Sequence, residues 1–269
     1  MIDVVCVGDT AIDEYYTLPK LPGPDEKVLT HYTGRFLGGT TCNTARALRR
    51  LGSDVLFLTR IGNDEHGSYI REQFLKNSLE ARYLYSRQTP AAQILVARDG
   101  EKAILLHGFD NPQEWSRAEL AEFLKPVPVR VVFSTLSLPV QDQLLDFQAD
   151  LVISLEPAIV EWSRETFTWS AQHAHTLILD RHTYRLLFQK EPAAESIIDV
   201  FNALPQQPQH LIVTMGSRGC LGLCRSTGTV FQVPSFDVQV LDTTGAGDIF
   251  NAAYIHSFFI KGNTFKDSL

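Results

Sequence analysis

The chain predicts an α/β fold: a mostly parallel central sheet covered by helices on both faces, with a small β-sheet standing off it as a lid. Two observations carry this. Short β-branched runs alternate with helical patterns along most of the chain, the order in which strand, crossover helix and parallel strand follow one another. Two segments then break the rhythm with hairpin and proline signals.

The predicted strands are Val4 to Val7, Asp54 to Thr59, Val129 to Ser134, Leu151 to Leu155, Thr176 to Leu179 and His210 to Thr214. Between them lie helical patterns over Asn43 to Leu51, Ser68 to Leu75, Ser116 to Leu124, Val160 to Trp169 and Ala193 to Leu204. A further, mostly buried helix is expected over Ile249 to Ile255. Asn111 to Glu114 and Gln206 to Gln209 read as turns. The breaks are Thr10 to Arg35, with its Leu18-Pro19 and Leu21-Pro22-Gly23-Pro24 steps, and the strands Ala92 to Ala97 and Lys102 to His107 flanking Asp99-Gly100. Asp-Gly between two such runs is a strong hairpin signal, and these pieces are the expected lid. Ligands in open α/β sheets gather at the carboxyl ends of the strands.

The 269 residues, 44% of them hydrophobic, suffice for one large α/β core with an appendage. A net charge of −7 argues against a nucleic-acid surface while leaving room for a local anion pocket. An acidic N-terminus and the lack of a long apolar run predict a cytoplasmic protein without a membrane partner. Cys6, Cys42, Cys220 and Cys224 are dispersed and lack nearby histidines suited to zinc, so they read as free buried thiols, the last pair on one face of a strand.

The most informative run is Asp242-Thr243-Thr244-Gly245-Ala246-Gly247-Asp248. Small residues at 245 to 247 let successive N–H groups converge on an anion, and the helix behind them turns its positive end to the same place. A carboxylate at such a turn is electrostatically awkward unless it takes a proton during a reaction, which marks Asp248 as a base. The plainer alternative is a Gly-rich turn whose acid favours the helix dipole. Near the other end, Gly38-Gly39-Thr40-Thr41-Cys42-Asn43-Thr44-Ala45 opens the 43–51 helix, Ile61 to Gly67 contains a Gly-x-Asp-x-x-Gly turn, and Val213 to Gly219 contains a strand exit with Gly216 and Gly219.

Taken together and in this order, these four motifs resemble those of the ribokinase-like, or PfkB-type, carbohydrate kinases, over nearly the whole chain. The resemblance implies a single kinase domain over 1–269 with a three-layer αβα fold. It places the lid at about 10–35 and 88–108, often the site of a dimer contact, and expects further C-terminal helices beyond Leu269. It implies ATP-dependent phosphorylation of a hydroxyl of a sugar or sugar-like molecule. Asp248 is then the general base, and the N–H groups of Gly245, Ala246 and Gly247 form the anion hole. Asp13, Gly38, Gly39 and Asn43 grip the sugar, with Asp9 as an alternative to Asp13, since a carboxylate and an amide hold several hydroxyls between them. Thr214, Gly216 and Gly219 face the ATP. Asp242 and Thr244 match positions that help hold a monovalent cation such as K+.

The resemblance departs at two places. Thr41 stands where a Gly, Ala or Pro is usual, and the family's Asn-x-x-Glu motif, which organises Mg2+ and phosphate through water, reads Asp180-Arg181-His182-Thr183. Asp180 retains a hard oxygen for a magnesium water, whereas Thr183 does not replace the glutamate. Two other readings stay open: a nucleoside kinase of the same superfamily, with Tyr15, Tyr16, Tyr32 and Phe36 near the lid to sandwich a base, and a catalytically weak sugar or nucleotide sensor. Gln93, Arg98 and His107, on or near the lid hairpin, are the candidates to read an acidic group on the acceptor.

Overall fold

The computed structural model describes residues 1–109, 115–157, 164–204, 208–240 and 242–269. In chain order its strands are β1 (Ile2–Gly8), β2 (Ala11–Leu18), β3 (His31–Gly38), β4 (Val55–Gly62), β5 (Glu80–Ser86), β6 (Ala91–Ala97), β7 (Lys102–His107), β8 (Val129–Ser134), β9 (Asp150–Leu155), β10 (Thr176–Asp180), β11 (His210–Thr214), β12 (Cys220–Cys224) and β13 (Thr229–Val233). The helices are α1 (Thr40–Arg50), α2 (Glu65–Lys76), α3 (Arg117–Phe123), α4 (Arg164–His173), α5 (Arg181–Phe188), α6 (Ala194–Ala203) and α7 (Ala246–Ile255).

Nine strands form the central sheet in the order β13-β12-β11-β10-β9-β8-β1-β4-β5. Pairing is parallel from β11 to β5 and antiparallel for the β12 and β13 edge. Successive side chains of a strand point to opposite faces, and both faces are buried here. Val5 and Val7 of β1 join Leu58, Val132, Ile153 and Leu177 in one core, and Val4 and Cys6 join Phe57, Phe133 and Ile178 in the other. Cys42, Ala45 and Leu48 of α1, Phe74 of α2 and Tyr254 of α7 close the second core. Phe123 of α3, Tyr184 of α5 and Phe201 of α6 close the first. The three-layer arrangement follows from near-continuous apolar runs in the central strands, as a sheet covered on both faces requires.

The lid is a separate four-stranded sheet, β3-β2-β6-β7. β2 pairs antiparallel with β3 and parallel with β6, so the first break in the rhythm lies alongside the Asp99-Gly100 hairpin of β6 and β7.

Several boundaries differ from expectation for identifiable reasons. α1 starts at Thr40 rather than Asn43, because the Asp9 carboxylate accepts the N–H groups of Thr40 and Thr41 at 2.9 and 3.1 Å. This cap comes from 31 residues upstream and has no local sequence signal. α2 starts at Glu65 rather than Ser68, since Asp64 caps it by accepting from the Gly67 N–H at 2.8 Å. α3 matches its expected span, with Ser116 and Glu119 forming a capping box. α4 runs to His173, beyond the expected Trp169; residues 160–163 of that expectation lie outside the described residues, as do the 111–114 turn and residues 206 and 207 of the 206–209 turn. β5 and β13, the two edges of the sheet, have no counterpart among the expected strands, because an edge strand needs no strong apolar pattern. All four cysteines are buried free thiols. Among the described residues no helix is long and apolar enough to cross a membrane.

Candidate active site

The N-terminus of α7 lies between two cavities. Gly245 caps the helix with φ 77°, a left-handed conformation natural to glycine. Asp242 stabilises the approach by accepting from the Thr244 N–H and hydroxyl at 2.9 and 2.8 Å. The Ala246 N–H closes the turn onto the Thr243 carbonyl at 3.2 Å. Of the three N–H groups expected to converge on an anion, that of Ala246 is therefore already engaged, and those of Gly245 and Gly247 have no acceptor among the described residues.

Asp248 sits in the first turn of α7, where its Oδ2 accepts from Asn43 Nδ2 at 2.8 Å. The Thr44 hydroxyl donates to the Asp248 carbonyl at 3.3 Å, joining α1 to α7 at this point. Burial pushes the Asp248 carboxyl up to about 6, against the lowering by the Asn43 hydrogen bond and with a further push from Asp9. A carboxylate held in this way is ionised at neutral pH yet basic enough to accept a proton.

The first cavity, of about 540 Å3, opens between the lid and α1. Asp13 of β2, Asn43 and Arg46 of α1, and Gly245 line it, and Tyr15 and Phe36 meet edge to face on its wall with centroids 5.7 Å apart. A side chain at Gly38 would collide with the Asp13 carboxylate, so the glycine is what allows that carboxylate its place. Burial, then the neighbouring Asp9, raises the Asp13 carboxyl above its ordinary range. Asp9 itself is taken up by the start of α1, with the Thr41 hydroxyl also donating to it at 2.8 Å. Gly39 is the residue before that helix. Asp242 and Thr244 border the same cavity.

The second cavity, of about 280 Å3, lies at the carboxyl ends of β9, β10 and β11. Glu156, Asp180, Thr214, Gly247 and Asp248 line it. Asp180 caps α5, accepting from the Thr183 N–H at 2.6 Å. Glu156 accepts from the Thr40 hydroxyl. Its burial, with Asp9, Asp248 and Asp180 adding repulsion and the Thr40 bond opposing, brings its carboxyl up to about 7. Gly216 and Gly219 lie in the turn that follows β11, outside the cavity wall. Among the described residues no group of three or more His, Cys, Asp or Glu is arranged as a metal cage.

Two site residues have no place in the motifs. Glu156 directly follows the predicted 151–155 strand at its carboxyl edge, where the topology alone sends ligands. Arg46 lies three residues beyond Asn43, on the same helical face. Conversely, Gln93, Arg98 and His107 do not border either cavity; Arg98 is exposed at the hairpin turn, and the His107 ring meets Gln88 at 3.1 Å.

The model of the pfkB family carbohydrate kinases matches residues 1–269. A ribokinase of Bacillus subtilis (strain 168) is 26% identical over 260 residues, 94% of this chain and 85% of that protein. A nucleoside kinase of Methanocaldococcus jannaschii is 24% identical over 273 residues, 97% of this chain and 85% of that protein. In fold, the structure of an Arabidopsis thaliana ribokinase complexed with ribose and ATP is similar at a TM-score of 0.81 and 20% identity, covering 100% of this chain and 89% of that one. The large, mostly parallel sheet with a smaller separate one accords with that likeness, and the family match runs over the whole length: the chain belongs to the pfkB family of carbohydrate kinases and is an ATP-dependent kinase.

Proposed function

We propose that this kinase phosphorylates a hydroxyl of a sugar or sugar-like acceptor bound in the larger cavity, with Asp248 as general base. The observation that carries the reading is the Asp248 carboxylate itself: raised to about 6, fixed by Asn43 at 2.8 Å, and set at a helix N-terminus between the two cavities. Asp248 takes the acceptor proton as the hydroxyl attacks the terminal phosphate of ATP. The N–H groups of Gly245 and Gly247, with the positive end of α7, stabilise charge developing on the transferred group. Asp13 and Asn43 hold acceptor hydroxyls, and the Gly38-Gly39 backbone brings the acceptor close. Thr214, with Gly216 and Gly219 in the next turn, lies along the nucleotide side.

The donor set of the smaller cavity suits Mg2+, a hard cation that keeps several waters and binds through one or two carboxylates together with phosphate. Glu156 and Asp180 would hold it, chiefly through those waters. Bound there, the ion neutralises phosphate charge; the chain's part is to keep both carboxylates at one wall. For a monovalent cation the fit is poor, because Asp242 and Thr244 are bonded to each other on the acceptor side.

A nucleoside acceptor is the second reading, favoured by the Tyr15 and Phe36 rings on the cavity wall, which offer a base an aromatic surface. The lid would also mediate a homodimer: β7 is its edge strand and leaves Ile104, Leu105 and Leu106 exposed at 58%, 52% and 64%. A cytoplasmic location accords with this reading.

The test is ADP release from magnesium-ATP across a panel of sugars, sugar acids and nucleosides, beside Asp248→Asn. Turnover of an acceptor that falls by roughly two to four decades in the variant supports the base. Undiminished turnover in the variant would refute it.

A further inference from the structure

The arginines of α1 are used unequally. Arg49 serves the fold, donating through Nε to the Ser78 carbonyl at 3.0 Å and through Nη1 to the Ser53 carbonyl at 3.3 Å. Arg46 is different. Its Nε is sealed from solvent and has no hydrogen-bond partner, and no hydrogen bond or ion pair ties its guanidinium to any described residue. Leaving a buried charged donor unmatched costs more than leaving a neutral one, yet this residue borders the acceptor cavity.

The acids of that cavity do not answer it. Asp242 is bonded to Thr244, and Asp13 is shifted upward by burial and by Asp9, the opposite of what a guanidinium paired with it would do. Arg50, one turn further along, borders the same cavity, and with Arg46 and Arg49 it also borders an adjoining hollow of about 300 Å3. The α1 wall of the acceptor cavity is therefore positive, while Asp13 and Asp242 carry the acids of its lining. Arg46 follows Asn43 by three residues, about 4.5 Å along the helix axis. That separation suits the two ends of a small sugar.

We infer that the acceptor carries an anionic group, a carboxylate or a phosphate, and that Arg46 binds it at the end of the cavity remote from the reacting hydroxyl. The inference rests on the larger cavity being the acceptor site. A planar fork of N–H donors fits either anion bidentately, and Arg46 supplies one with nothing else attached. Arg46 is thus a specificity residue that selects acidic acceptors over their neutral parents.

Titration calorimetry on the full chain tests this without requiring turnover. The probes are D-gluconate, D-glucose 6-phosphate and D-fructose 6-phosphate, each beside neutral D-glucose or D-fructose, with wild type, Arg46→Ala and Arg46→Lys. At least one anion should bind more tightly than its neutral parent. Arg46→Ala should weaken that anion by roughly 10- to 100-fold and leave the neutral sugar and ATP unchanged, which also certifies folding; Arg46→Lys should retain part of the preference. Preference for gluconate identifies a carboxylate, and preference for the esters a phosphate. Absence of any anion preference in the wild type would overturn the inference, as would equal weakening of neutral and anionic probes by Arg46→Ala. Selective, Arg46-dependent binding of an anion that gives no ADP release with magnesium-ATP would keep Arg46 as an anion site but overturn the assignment of that anion as the acceptor.

Discussion

The two cavities on either side of the α7 N-terminus are built by different means. The larger is made mostly of local devices, among them the Asn43 amide, the α1 arginines and a half-buried carboxylate on a lid strand, all within residues 13 to 50 except for Val96 and the start of α7 with its approach. The smaller is made of strand ends far apart in the chain, with Glu156, Asp180 and Thr214 side by side only because β9, β10 and β11 are neighbours. Charge follows the same division. The larger cavity mixes arginines with carboxylates, and the smaller gathers carboxylates alone among its charged groups, a donor set that suits the proposed Mg2+. Thr183, on α5, stands where the resemblance expects a glutamate, and the Glu156 carboxylate supplies acidity to that cavity from the end of β9.

If the division is real, substitutions should sort by cavity. Asp13→Asn should raise the acceptor KM by roughly 10- to 100-fold, the scale of a lost hydrogen bond to a charged group, with the KM for ATP unmoved. Glu156→Gln should do the reverse, raising the Mg2+ concentration for half-maximal rate by roughly tenfold with the acceptor KM unmoved. Steady-state kinetics with each substrate varied separately reads both. An Asp13 variant that disturbs Mg2+ dependence, or a Glu156 variant that disturbs the acceptor, would mean that the two cavities act as one.

A smaller effect belongs to the boundary between them. Asp248 must be ionised to accept a proton, and its carboxyl lies at about 6. The value of kcat/KM should therefore rise from pH 5 to 7 with an inflexion near 6 and level off above it. A profile flat through this range would remove Asp248 from the proton transfer.

The smallest effect lies away from either cavity and serves as a control on stability. His210 is 4% exposed, stacked on Phe265 at 4.0 Å and joined to the Tyr254 hydroxyl at 2.9 Å. Burial, then His175, pushes it down to about 3. Protonation is thus far easier in the unfolded chain, so His210 leaves stability intact above about pH 6.5 and erodes it as pH falls from there toward 3. The slope approaches about 1.4 kcal/mol per pH unit well within that window. Urea unfolding between pH 7 and 5 should show the decline, reduced in His210→Phe; an unchanged slope in the variant would assign the loss to other groups.

Much of this molecule is legible without coordinates. The alternation of β-branched runs with helical patterns determines a layered sheet, because a parallel strand buried on both faces can be written in few other ways. The turn around Gly245 and Gly247 and the carboxylate of Asp248 are equally local, since backbone conformation and the helix dipole depend on a handful of adjacent residues. The pairing of the lid strands, the Asp9 cap that moves the start of α1, the engagement of the Ala246 N–H and the arrival of Glu156 beside Asp180 were decided by tertiary structure. Each depends on which segments the fold makes neighbours. Arg46 falls between the two cases: its helical face follows from its spacing to Asn43, but only the packed structure leaves its guanidinium at the acceptor cavity without a partner, because whether a charge is answered depends on everything around it in space.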